Sequence, residues 1–104
     1  MSVMVAFSVT PVGKGESLSE YVARCVRIVE ESGLDYQLTP MFTIVEGEWE
    51  EVFGVLHRCY EALRHDCPRL SITIKVDARE GQKGRMQRKV ASVEEKLGHS
   101  VRKG

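Results

Sequence analysis

Two widely separated segments of the chain alternate between apolar and polar residues, and this pattern constrains the fold most. In the first segment, apolar side chains occupy every second position from Val3 to Val9. In the second segment, they occupy every second position from Leu70 to Val76. A period of two is typical of a strand with one buried face. The sequence therefore predicts two amphipathic strands that share one core.

Two segments with helical spacing lie between these strands. Ser17 and Glu20 form a capping box that predicts a helix start at Ser17, and Gly33 is a plausible terminator. The second predicted helix follows Gly47 and an acidic run, and Pro68 stops it. Both segments carry an apolar stripe at a spacing of three or four residues, namely Leu18, Val22, Cys25 and Val29 in the first and Val52, Leu56, Cys59 and Leu63 in the second.

The remaining segments complete an α+β pattern. Residues 35–38 and 41–46 are predicted as short strands joined at Thr39-Pro40, and residues 86–97 as a further helix. The order strand, helix, strand, strand, helix, strand predicts a ferredoxin-like βαββαβ antiparallel sheet with an extra C-terminal helix. We expect one domain over residues 1–97 and a tail over residues 98–104.

This fold makes two predictions about the faces of the sheet. Both main helices are expected to cover the apolar positions of the first and last strands. The opposite face is then free to bind a partner or ligand, and its polar residues are Ser8, Thr10, Ser71, Thr73, Lys75 and Asp77.

The length and the apolar runs exclude several classes of protein. A chain of 104 residues is of the size of a single domain. The apolar runs are far shorter than the ~18 residues of a membrane-spanning helix. The N-terminus lacks the pattern of a secretory signal, so we expect a cytoplasmic protein.

Charge is balanced overall but not along the chain. Fifteen basic residues match fifteen acidic ones, which argues against a dedicated nucleic-acid-binding protein. Residues 79–104 nevertheless carry eight basic and three acidic side chains. This segment is either a basic tail for an anionic partner or a solvated helix facing an acidic neighbour, and we favour the helix.

The cysteines and histidines form no motif for metal binding or catalysis. Three widely spaced cysteines include no CxxC pair, and Cys67, beside Pro68, is the one we expect to be exposed. The histidines show no metal-ligand spacing. We therefore predict no metal, no cofactor and no catalytic residues, and do not expect an enzyme.

Several short motifs occur together in a specific order. They are Pro11-x-Gly13, Ser17-Leu18-Ser19-x-Tyr21-Val22, Ser32-Gly33-Leu34-x-Tyr36, Thr43-x-x-Glu46-Gly47-Glu48, Lys75-Val76-Asp77-x-Arg79 and Lys89-Val90-x-Ser92-Val93. In this respect the chain resembles the small thiamine-binding proteins of the YkoF-like superfamily, from the first strand to about Leu97. The resemblance implies a ferredoxin-like subunit that forms dimers or a homotetramer and binds thiamine, or its hydroxymethylpyrimidine part, without transforming it.

The resemblance also implies a set of ligand-binding residues. Glu46 is expected to accept hydrogen bonds from an aminopyrimidine, and Thr43 to add a hydroxyl contact. Phe42 departs from the small residue of many relatives and is expected to fill or reshape the site. The complete set is Thr10, Tyr36, Thr43, Glu46, Gly47, Lys75 and Asp77.

Each of these roles has a structural alternative. Glu46 is equally suited to stabilising the start of the second helix. Tyr36 is better suited to packing, and Lys75 and Asp77 to an ion pair across a subunit interface. The alternative function is an assembly or regulatory module whose basic C-terminal helix binds a protein or nucleic acid.

Overall fold

Strands and helices follow one another along the chain in the predicted order. The computed structural model describes residues 1–15, 18–81 and 84–102. Its elements are β1 (Ser2–Pro11), α1 (Ser19–Ser32), β2 (Asp35–Leu38), β3 (Thr43–Glu48), α2 (Trp49–Arg64), β4 (Leu70–Ala78) and α3 (Arg85–Leu97).

The four strands form one antiparallel sheet in the order β2-β3-β1-β4. This order places β1 in the interior and leaves β2 and β4 at the edges. It is the ferredoxin-like arrangement, so the predicted fold class is confirmed.

The core lies between one face of the sheet and the helices α1 and α2. Val5 and Val45 lie opposite each other on this face, and both are fully buried. Cys25 of α1 and Cys59 of α2 are also buried, as their positions on the apolar stripes predict. Burial of these apolar side chains is the main force that holds helices and sheet together.

Some local details differ from the prediction or lie outside the described residues. β3 begins at Thr43 rather than residue 41, because Thr39 closes a turn by donating its hydroxyl to the Phe42 carbonyl (2.8 Å) and accepting the Phe42 N–H (3.1 Å). The helix α1 begins at Ser19, and the predicted cap Ser17 lies outside the described residues. The exposure predicted for Cys67 is wrong, since this residue is buried against the core cluster.

The expectation that helices cover the apolar side of β4 is also wrong. Ile72, Ile74 and Val76 share the helix side of the sheet with β1 residues, yet Ile72 is 42% and Ile74 44% exposed. The reason is lateral placement, since α1 and α2 make their main contacts with β1, β2 and β3. β4 is therefore an edge strand with an uncovered apolar side.

The third helix packs on the opposite face of the sheet. Glu46 and Asp77 flank Met4 on this face, and both bind the first turn of α3. The predicted open face is thus partly covered at the end that contains Met4. It stays open toward Ser8 and Thr10.

Candidate functional site

A hollow opens where β1 extends beyond β3. The β1–β3 pairing ends with Phe7 opposite Thr43, whereas the β1–β4 pairing continues to Pro11 opposite Leu70. The start of α1 and the turn before β3 close around the unpaired side of β1. The resulting hollow has a volume of about 240 Å³.

Among the residues that the structure describes, the lining of the hollow is uncharged. It consists of β1 residues 7–10, Leu18, Val22 and Cys25 at α1, and residues 38–43 around the turn. Hydroxyl side chains among these residues lie beside aromatic and aliphatic ones. Pockets for drug-sized ligands are typically ~300–1,000 Å³, so this hollow is suited to one small ring system.

Two of the predicted ligand residues, Thr10 and Thr43, line this hollow. Thr43 lies opposite Phe7 on the helix side of the sheet and is buried. Thr10 lies opposite Ser71 on the other face. Phe42 also lines the hollow, and Thr39 fixes its backbone.

Glu46 lies elsewhere, under the start of α3. Its carboxylate accepts the Arg85 N–H at 2.8 Å through Oε2 and the Met86 N–H at 3.3 Å through Oε1. These are backbone N–H groups of the first helical turn, which have no partner within a helix. Glu46 therefore stabilises a helix start, but of α3 rather than of the second helix named in the structural alternative.

Gly47 follows Glu46 and has a packing role. A Cβ atom at this position would lie 3.0 Å from a Leu34 methyl carbon and 3.4 Å from a Val52 methyl carbon. A larger residue would displace Leu34, which packs against the core cluster.

Asp77 joins β4 to α3. Its carboxylate pairs with Arg85 Nη1 at 2.9 Å and with Lys89 Nζ at 2.8 Å, while Arg85 also donates to the Asp77 carbonyl. The hydrogen bonds from Lys89 and Arg85 lower the pKa of Asp77 below its ordinary value. Lys75 forms no ion pair with any residue that the structure describes.

Tyr36 lies on the helix side of the sheet, opposite Val45. Its hydroxyl donates to Glu30 of α1 at 3.2 Å. The seven predicted ligand residues are thus divided, with Thr10 and Thr43 at the hollow and the other five outside its lining.

Sequence reasoning missed Arg85, which is 4% exposed and connects α3 to the sheet. Its role depends on Glu46, which lies 39 residues away, and on Asp77 of the preceding strand, so no pattern within α3 indicates it. The nearest local signal is Gly84, whose left-handed backbone (φ 65°) introduces the helix.

Two buried cysteines, Cys25 of the hollow lining and Cys59 of α2, contact each other, and this contact lowers the pKa of Cys25. The Cys59 thiol donates to the Cys25 carbonyl at 3.7 Å. Its contact with Cys25 and its burial raise the pKa of Cys59 far above its ordinary value, which keeps it protonated.

Across residues 1–15, 18–81 and 84–102, no cluster of three or more His, Cys, Asp or Glu residues is placed to bind a metal.

In the same part of the chain, every helix is too short or too polar to span a bilayer.

Comparison with known proteins gives one consistent result. The model of the family described as "Thiamine-binding protein" matches residues 5–94. The chain is 50% identical over 98 residues to UPF0045 protein Mb1933 of Mycobacterium bovis, covering 93% of this chain and 96% of that protein. It is 36% identical over 101 residues to UPF0045 protein sll0230 of Synechocystis, covering 96% of this chain and 84% of that protein.

Two solved structures share the fold. The hypothetical protein MJ1052 of Methanocaldococcus jannaschii has a TM-score of 0.82 at 26% identity, covering 90% of this chain and 97% of that one. The protein TM0486 of Thermotoga maritima, provisionally assigned to thiamine biosynthesis or salvage, has a TM-score of 0.79 at 25% identity, covering 89% and 99%.

Proposed function

Because the chain belongs to the thiamine-binding protein family, we propose that it binds thiamine, or the hydroxymethylpyrimidine part of thiamine, without transforming it. The observation that carries this proposal is the hollow at the start of β3, whose described lining is uncharged and includes Thr10 and Thr43. The protein then acts as a carrier, sensor or salvage accessory.

The chemistry of the hollow matches that of a substituted pyrimidine. Such a ring has apolar faces and a polar edge, and the hollow offers Phe42 and Val22 beside hydroxyl groups. Because the described lining includes no Lys or Arg, it offers no counter-charge for a phosphate group. Hydroxymethylpyrimidine and thiamine should therefore bind better than thiamine phosphates.

A role in binding rather than catalysis is supported by the groups around the hollow. Covalent catalysis needs a nucleophile activated by an adjacent base. The thiol in the lining belongs to Cys25, which is only 6% exposed, and the described lining offers no His, Asp, Glu or Lys beside it as a base. Since all three cysteines are unpaired, they also support a cytoplasmic location.

Self-association is the second part of the proposal, and β4 supports it. Long apolar edge strands tend to pair with another chain unless charges, proline or covering elements protect them. A twofold axis at Ile74 would pair all nine residues of β4 with a second copy, placing Ile72 opposite Val76 and Lys75 opposite Thr73. This register joins apolar residues on one face and brings no like charges together, so it favours a dimer that can pair further into a tetramer.

The alternative partner, a nucleic acid bound by the basic C-terminal segment, is less well supported. Arg85 and Lys89 of α3 are already paired with Asp77, which neutralises part of the basic surface. Binding to a phosphate backbone weakens steeply with salt, whereas binding to an uncharged ring does not. Filter binding at two salt concentrations separates these alternatives.

Calorimetric titration tests the proposal. We expect saturable binding of hydroxymethylpyrimidine and thiamine, recovery of unchanged ligand, and weaker binding of the phosphates. Thr43→Val should weaken binding about fivefold to tenfold, because it replaces a hydroxyl with a methyl group of similar size. The control is Thr73→Val on β4, outside the hollow lining, which should leave affinity unchanged. Absence of binding to every one of these ligands would contradict the proposal.

A further inference from the structure

The hollow contains a backbone hydrogen-bonding pair that the sheet leaves unused. We propose that the N–H and C=O of Val9 bind the amino edge of the pyrimidine ring, so that the ligand takes the place of the next β3 residue. This inference rests on the proposed function and identifies the group that recognises the ligand.

The alternation of the β ladder shows where the Val9 groups point. In an antiparallel pair, every second residue directs both its N–H and its C=O toward the same neighbour. The Val12 N–H donates to the Arg69 carbonyl at 2.9 Å on the β4 side, and the register is continuous from Val3 to Pro11. The backbone N–H and C=O groups of even-numbered β1 residues therefore point toward β4. Those of odd-numbered residues point toward β3.

A second contact confirms this assignment independently. The Met1 carbonyl accepts the Trp49 N–H at 3.2 Å, so another odd-numbered residue is bonded on the β3 side. The backbone groups of Phe7 point toward Thr43, the first residue of β3. Those of Val9 therefore point into the gap ahead of the start of β3.

The Val9 groups have no partner in that gap among the described residues. The turn ahead of β3 satisfies its own backbone, because the Thr39 N–H donates to the Phe42 carbonyl at 2.9 Å. Pro11, the next residue of β1 on this side, has no N–H. Val9 thus offers the one complete backbone donor and acceptor pair of β1 in the hollow, and the residue as a whole is 8% exposed.

An aminopyrimidine has the complementary pair of groups. Its ring nitrogen accepts a hydrogen bond, and the adjacent exocyclic amine donates one, in the plane of the ring. A strand residue presents N–H and C=O on one side in a similar plane. Two such bonds would satisfy backbone groups that are otherwise left without a protein partner, and Thr43 and Phe42 would bound the ring.

Amide hydrogen exchange measured by NMR tests this inference in the whole protein. Without ligand, the Val9 amide should exchange faster than those of Ser8 and Thr10, whose N–H groups face β4. With saturating hydroxymethylpyrimidine, exchange at Val9 should slow at least about tenfold while the two neighbours change little. Slow exchange at Val9 in the ligand-free protein would overturn the inference.

Calorimetry on the same samples separates the two proposals. Binding of hydroxymethylpyrimidine without any change at the Val9 amide would overturn the inference and leave the proposed function in place. Absence of binding would overturn both. A pyrimidine analogue with hydrogen in place of the exocyclic amine should bind about tenfold more weakly, and equal affinity would contradict recognition of the amine by Val9.

Discussion

β1 and β4 are adjacent antiparallel strands with the same alternating pattern, yet their apolar residues have different surroundings. Val5 and Val76 lie directly opposite each other on the same face, but Val5 is 0% and Val76 36% exposed. Helices cover β1, while the apolar side of β4 extends beyond them. Alternation therefore indicates which face of a strand is apolar, but not what covers that face.

Ile74→Lys on β4 should have the largest effect, because it breaks the proposed pairing of two copies. At a twofold axis two lysines would face each other, and we expect a loss of subunit affinity of about a hundredfold, or ~2.7 kcal/mol. Light scattering at micromolar concentration measures it. The control is Met41→Lys, at an exposed apolar residue away from β4.

In this measurement the unmodified protein should have a mass of two or four times 11.7 kDa. A mass of 11.7 kDa for the unmodified protein would contradict the account of β4.

Matched truncation of the two valines sharpens the comparison. Val5→Ala should lower the free energy of unfolding by about 2 kcal/mol, because it removes buried methyl groups and leaves a cavity. Val76→Ala should cost less than about 0.5 kcal/mol within a single subunit. Urea denaturation at concentrations where the subunits are dissociated gives both values, and equal losses would show that β4 is covered within its own chain.

Glu46→Gln tests whether this residue belongs to α3 or to the ligand. The amide keeps one acceptor but loses the charge, so we expect a loss of about 1 kcal/mol in the free energy of unfolding. Amide exchange at Arg85 and Met86 should become faster, while affinity for hydroxymethylpyrimidine should change less than about twofold. A large loss of affinity with no change in α3 would assign Glu46 to the ligand.

These contrasts show how much of the fold and of the candidate site can be predicted from the sequence alone. The order of elements and the core of β1 follow from hydrophobic periodicity, which is a local property. The partner of Glu46 does not, because Arg85 lies 39 residues away in the chain. The hollow arises because Thr39 delays the start of β3 until Thr43, a tertiary detail that the apolar run from residue 41 does not reveal.

Acid should weaken the attachment of α3 to the sheet. Of the predicted effects, we expect this change in stability to be the smallest. The pKa of Asp77 is lowered by Lys89 and Arg85, so its carboxylate stabilises the folded state above the ordinary value of 3.8. That contribution is lost as the pH falls through the lowered value. Melting curves should show the unmodified protein more stable than Asp77→Asn at pH 7, with the difference disappearing in strong acid. A difference that persists below both pKa values would contradict this electrostatic role.

A crystal structure of the complex with hydroxymethylpyrimidine tests the location of the site most directly. We predict the ring in the hollow between Thr10 and Thr43, with its amino edge on Val9 and with Glu46 still bound to the first turn of α3. A ring bound to the Glu46 carboxylate, with α3 displaced from the sheet, would contradict the account.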